Sequence, residues 1–212
     1  MKFTRPRISV GDFHSQCIRM DNKDKNELVM QAIKRVELQK GLRSLLEQTI
    51  DQRINRYLEI EHQGIIGNHH FAATSSECIE LYRDGYFISS VMVSHAVNEG
   101  IMKFVAERNG ITEKKKHLEL MNELKQKRII SLKCARASEG IWSSFRNDVH
   151  HMNPKVASIP FQELAKGNLQ GLATIEKEIF GVNFKDGKLV PHHPQYWDVG
   201  NDGTVPAFLR LV

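Results

Sequence analysis

"YFISSVMVSHAVNEGIMKFVAERNG", residues 86–110, decides the fold. Ile88, Val91, Met92, Ala96, Phe104 and Val105 form a thick apolar stripe at helical spacing, and Gly110 supplies the left-handed stop that ends many helices. The spacing predicts a long amphipathic helix at the centre of the core. Asp84-Gly85, just before it, marks a pause after an earlier helix. "TSSE" (74–77) has the form of a capping box, so that helix is predicted to start there.

Towards the N-terminus, Leu28, Val29, Ala32, Ile33 and Val36, then Leu42, Leu46, Ile50, Ile54 and Leu58, repeat every three or four residues. They predict amphipathic helices broken at Gly41. "QGIIGNHH" (63–70), with two glycines, reads as a loop.

Towards the C-terminus, "ITEKKKHLELMNELKQKRII" predicts a charged surface helix capped by Thr112, with a thin stripe of Leu118, Met121 and Leu124. "ASEGIWSSFRNDVHHM" (137–152) predicts a helix burying Ile141, Trp142, Phe145 and Val149, stopped or kinked by Pro154. "SIPFQELAKGNLQGLATIEKEIFG" predicts another, starting at a proline and closed by Gly181. The tail differs: "VNFKDGKLV" carries the Asp186-Gly187 hairpin signal, and the remainder is irregular with one last short strand.

The reading is an all-α bundle in three parts: a helical arm over 1–69, the bundle over 70–181, and a hairpin or irregular tail over 182–212 packed on the bundle. At 212 residues with 41% hydrophobic and 26% charged residues, the chain has enough apolar content for one main core and does not fit a disordered class. No run of about 18 apolar residues predicts a membrane span. The three cysteines, odd in number and in no C-x-x-C pair, predict neither a disulfide framework nor a zinc ribbon and point to a reducing, cytoplasmic setting.

Charge is uneven. Residues 101–136 hold ten Lys or Arg against four Glu, so this segment alone carries +6 of a chain total of +5. A stripe of that kind suits a polyanion such as RNA, with Lys114, Lys115, Lys116, Lys125, Lys127 and Arg128 as the candidate phosphate contacts. A solvated helix face accounts equally well for any single lysine.

The chemistry-bearing stretch is "FRNDVHHMNP" (145–154). Arg146 and His151 lie five residues apart, which on a straight helix puts them roughly 140° apart around the axis. Pro154 removes a donor and clashes with the preceding turn, so a helix ending there lets His151 swing towards Arg146. His is the side chain that exchanges protons near neutrality, and the planar Arg fork matches phosphate. His95 and Glu99, four apart on the central helix, read as a local pair, with Arg146 as the other partner open to Glu99. Three His-His doublets (69–70, 150–151, 192–193) lack H-x3-H or H-E-x-x-H spacing, so no metal is predicted. With no glycine-rich phosphate loop, no G-x-S-x-G elbow and no local cysteine signature, neither a cofactor nor nucleotide or serine hydrolysis is predicted.

"RNDVHH" resembles the R-x4-6-H signature, in its R-N-x3-H form, of the HEPN superfamily of all-α proteins, and residues 78–104 are similar to that family's early helices. The likeness covers roughly residues 70–181. It implies a HEPN-like antiparallel bundle, a metal-independent endoribonuclease of prokaryotic defence or toxin–antitoxin systems, catalysis by Arg146 and His151, support from Asn147, and a homodimer with a composite cleft. His150 is the second choice of histidine. It also implies RNA as substrate and an antitoxin or other regulatory partner. A catalytically silent module that binds RNA or protein through the same surface is the alternative.

Overall fold

The structure is a computed structural model that describes residues 22–111 and 116–210. The Thr112 cap and the Lys114 and Lys115 contacts lie outside the described residues. The described chain is mainly helical: α1 (Asn22–Leu58), α2 (Ala72–Arg83), α3 (Phe87–Arg108), α4 (His117–Gln126), α5 (Leu132–Ser143), α6 (Arg146–His150) and α7 (Phe161–Ile179). Four short strands accompany them: β1 (Ile65–Gly67), β2 (Val182–Lys185), β3 (Lys188–Pro191) and β4 (Ala207–Leu209). None of the described helices is long and apolar enough to cross a membrane.

The described residues fall into two compact units that divide after Asp51. Residues 52–69, read from the sequence as part of the arm, lie in the second unit with the bundle and the tail. Ile60 and Ile66 are buried in its core. In the first unit, α1 continues through Gly41 without the predicted break, and Val29, Ile33, Val36, Leu42 and Leu46 are exposed.

In the second unit, α3 packs against α2, α4, α5, α6 and α7. Its place at the centre is as predicted, but its inward face is rotated. Ile88 and Ala96 are exposed, whereas Ser90, Ser94, His95 and Asn98 are buried beside Val91, Val97, Ile101 and Val105. Each of those side chains makes at least one hydrogen bond, Ser90 to the Cys78 carbonyl and Asn98 through its NH2 to the Ser138 carbonyl, for example, while Asn98 Oδ1 is buried with no partner among the described residues. A buried polar group that is hydrogen-bonded escapes most of the desolvation cost, so pattern alone misplaces it.

The start of α2 also differs. The helix begins at Ala72, so Thr74, the predicted cap, lies inside it, and Ser75 turns inward to donate to Glu176 at 2.5 Å. The predicted loop at 63–70 contains β1, which pairs antiparallel with β4 near the other end of the unit. The β2–β3 hairpin turns at Asp186 and Gly187, both at positive φ (52° and 74°), the conformation a two-residue hairpin turn requires. In α4, Leu118 is exposed and His117, Leu120, Met121 and Leu124 are buried.

The predicted helix over 137–152 is two. α5 ends at Ser143, Phe145 adopts the left-handed conformation (φ 54°, ψ 26°), and α6 restarts at Arg146. Ile141 and Val149 are buried as predicted, while Phe145 is exposed. α6 stops after one turn, with His151 as its C-cap, and Pro154 opens a 3₁₀ turn over Pro154–Ser158. The kink that matters for the site thus lies before Arg146, and the proline sits beyond a helix that has already ended.

Candidate functional site

α6 is too short to bury a face of its own, and it is held by its contacts. Val149 anchors it in the core. Two rungs tie it to α3: Arg146 Nη2 donates to Glu99 Oε2 at 3.1 Å, and the His150 and His95 rings meet through Nε2 and Nδ1 at 3.4 Å. Residues four apart lie on one helix face, so 146 and 150 on α6 face 99 and 95 on α3, antiparallel. Of the two partners weighed for Glu99, the structure selects Arg146 instead of His95.

Arg146 is about one-third exposed and sits with its guanidinium carbon 4.1 Å from the centre of the Trp142 ring. His117 stacks on the same indole, 4.0 Å between centroids and 11° from parallel. Glu99 also accepts from Lys103 at 2.7 Å, and that bond, with Arg146 nearby, holds its carboxyl below the usual carboxylate range. The Arg146 Nε is buried and bonds to no group among the described residues. Of the five N–H donors in an arginine fork, the only one engaged in a hydrogen bond among the described residues is on Nη2.

Arg146 lines two adjacent clefts. One, of about 530 Å³, is walled by Glu99, Lys103, Lys116, His117, Trp142 and neighbours from α4; the other, of about 390 Å³, by Trp142, Ser143, Phe145, Asn147 and Asp148. A larger concavity of about 920 Å³ lies elsewhere, ringed by charges of both signs including Glu59, Glu61, Lys133, Lys177 and Glu178. It contains none of the sequence-predicted site residues.

The predicted residues thus divide. Arg146, Asn147, His150 and His151 are gathered on one turn and its cap. Asn147 is exposed, and its carbonyl accepts from the His151 amide at 3.1 Å. The His151 ring is exposed and makes no hydrogen bond among the described residues, while that of His150 reaches the interior through His95. Of the predicted RNA contacts, Lys116 borders the larger of the two Arg146 clefts. Lys125 pairs with Glu139 at 2.6 Å and Lys127 with Glu123 at 2.8 Å, and Arg128 is exposed at a left-handed turn (φ 56°). The stripe is therefore partly neutralised by its own surface.

Behind α6 lies a buried polar cluster that the apolar pattern gave no sign of. His95 Nε2 is 2.8 Å from Ser144 Oγ, and the Asn168 amide donates to both Ser144 Oγ (3.0 Å) and Ser94 Oγ (2.9 Å). Burial, reinforced by the nearby His150 and Arg146, pushes the His95 pKa down to about 4. Desolvation does the same to His117, whose pKa is also pushed down to about 4. Both rings are neutral at physiological pH. A cationic fork with unbonded donors at a protein surface can bind a phosphate, and His150 and His151, exposed on the same turn though lining neither Arg146 cleft, are side chains that can exchange protons. Compared with protein-family models, characterised proteins and solved structures, the chain finds no match.

Proposed function

We propose that this chain is a HEPN-type endoribonuclease that cleaves RNA without a metal ion, as a homodimer, through Arg146 and a histidine of the α6 turn. The observation that carries the reading is the state of Arg146: it lines two clefts, is fixed by Glu99 and Trp142, and keeps most of its fork uncommitted. A planar cation held in that way is prepared for two-point contact with a phosphodiester.

In the reaction, a neutral histidine takes the proton of the ribose 2′-hydroxyl as that oxygen bonds to phosphorus. The bond from phosphorus to the 5′-oxygen breaks, and a protonated histidine from the second copy supplies the proton that the leaving oxygen needs. Arg146 offsets the charge gathering on the phosphoryl oxygens. Lys116 and Lys103, at the edge of the larger cleft, add to the attraction for the RNA backbone.

The Glu99 ion pair favours a second reading, a catalytically silent HEPN-type module that binds RNA or a protein partner. An arginine already paired to a carboxylate is also a structural strut. An RNA cleavage assay in EDTA separates the two, comparing the native protein with Arg146→Ala, His150→Ala and His151→Ala. The ribonuclease reading expects native cleavage and a loss of roughly a hundredfold or more on removing Arg146 or the operative histidine. Native protein that binds RNA without cutting it selects the silent module, and full activity in all three variants removes the proposed site. A composite site further expects partial recovery when two inactive single variants are mixed.

A further inference from the structure

The cluster behind α6 fixes where its protons lie. The Ser144 hydroxyl approaches the Ile141 carbonyl to 2.6 Å, and since a carbonyl only accepts, the hydroxyl hydrogen points there. Ser94 likewise spends its hydrogen on the Val91 carbonyl at 2.7 Å. Both oxygens can therefore only accept from their other neighbours, which makes the Asn168 group that faces them the NH2 end. It also makes the His95 Nε2 at Ser144 a donor. A neutral imidazole has one N–H, so His95 Nδ1 carries a bare lone pair. The atom facing that lone pair, His150 Nε2, must then bring the hydrogen.

This chain of contacts thus imposes one tautomer on His150: Nε2–H pointing inward, and Nδ1 bare on an exposed side chain, with no hydrogen bond of its own among the described residues. His151, one residue on, is turned by about 100° and has no such support. Arg146 and His150, four apart, share a face; Arg146 and His151 do not.

We infer that His150, through Nδ1, is the histidine that takes and returns protons beside Arg146, and that His95 is the positioning residue that fixes its tautomer and ring orientation. This assignment rests on the ribonuclease reading but departs from its R-x4-6-H spacing, which His151 and not His150 satisfies, and it gives that reading a specific atom. As the base, Nδ1 accepts the 2′-hydroxyl proton. The resulting imidazolium keeps its Nε2–H on the His95 lone pair, where the bond becomes charge-assisted and stronger. His95 undergoes no net change. In the second copy the step runs in the other sense: His150 begins as the imidazolium, gives the Nδ1 proton to the leaving 5′-oxygen, and ends neutral.

The test is nuclear magnetic resonance of the full chain with 15N-labelled histidine near pH 7.5, with His150 signals assigned by their disappearance in His150→Gln. The expected spectrum has His150 in one neutral form, protonated at Nε2, with that proton exchanging slowly with water. In His95→Leu the slow proton is lost and the two tautomers mix. In His95→Gln, whose amide offers an N–H to Ser144 and an oxygen to His150, the native pattern returns. A His150 protonated at Nδ1 in the native protein, or a spectrum unchanged by His95→Leu, overturns the role given to His95. In the cleavage assay, His150→Gln is expected to lose at least tenfold more activity than His151→Gln, and the reverse order overturns the choice of histidine. If the native protein cleaves no RNA, the catalytic assignment falls with its parent reading, while the spectrum still decides whether His95 sets the tautomer.

Discussion

His95 and His117 are both buried, both neutral and both placed within one layer of Arg146, and their titration is a property of the folded state alone. Each titrates near 4 in the native protein, displaced chiefly by desolvation, against about 6.5 in an unfolded chain. Between those values the unfolded chain binds more protons, so stability falls as pH drops below about 6.5 and continues to fall towards 4. The steepest loss is about 1.4 kcal/mol per pH unit for each ring. Urea unfolding between pH 7.5 and 5 is therefore expected to show a midpoint that declines with acidity, before most carboxylates take up protons. His117→Gln should flatten the decline, and a midpoint constant over that range would show that the two rings are charged or accessible in the native state. At this scale the sequence disclosed Arg146 and its two neighbouring histidines, because residue type and spacing are enough to name them. It did not disclose His117 or Ser144, whose importance comes from neighbours 21 to 49 residues away.

Among the helices, what could be read and what could not follow one rule. α3 and α7 have apolar residues enough to declare themselves, and the Asp186-Gly187 turn is specified by local backbone chemistry. The rotated face of α3 and the strand hidden in 63–70 depend on partners far along the chain, which periodicity does not see. α1 shows the reverse error, in which a local signal was given too much weight. Gly41 costs a helix interior up to about 1 kcal/mol relative to alanine, which is too little to interrupt a helix of 37 residues. A Cβ at that position would meet nothing within 4 Å. Gly41→Ala is thus expected to stabilise α1 by about 0.5–1 kcal/mol, read as a higher helical signal at 222 nm during thermal unfolding. A lower signal would mean that the open space at Gly41 is occupied by a neighbour in solution.

Within the second unit, one buried ion pair among the described residues links the tail to the bundle, in addition to the buried Tyr196 and Trp197. Arg210, just beyond β4, gives two bonds of 2.7 Å to the Glu176 carboxylate of α7 and a third of 2.7 Å to Ser75 of α2. Both side chains of the pair are almost fully buried, at 3% and 2% exposure. Removing one partner leaves a buried charge uncompensated, so Arg210→Met is expected to cost about 3–5 kcal/mol in urea unfolding. Replacing Glu176 by Met as well should recover much of the loss, because the burial of unpaired charge is the larger part of the cost. A small effect of the single variant would mean that water reaches Glu176. This ion pair was not legible in the sequence, since nothing local links residue 210 to residues 75 and 176.

The Arg210–Glu176 pair also sets an order of events during synthesis. Domains consolidate from the N-terminal side as the chain emerges, yet α7 carries a carboxylate whose counter-charge is made 34 residues later. Until Arg210 has been translated and β4 has found β1, burying Glu176 beside Ser75 is unfavourable. The bundle therefore stays unlatched until β4 has been made.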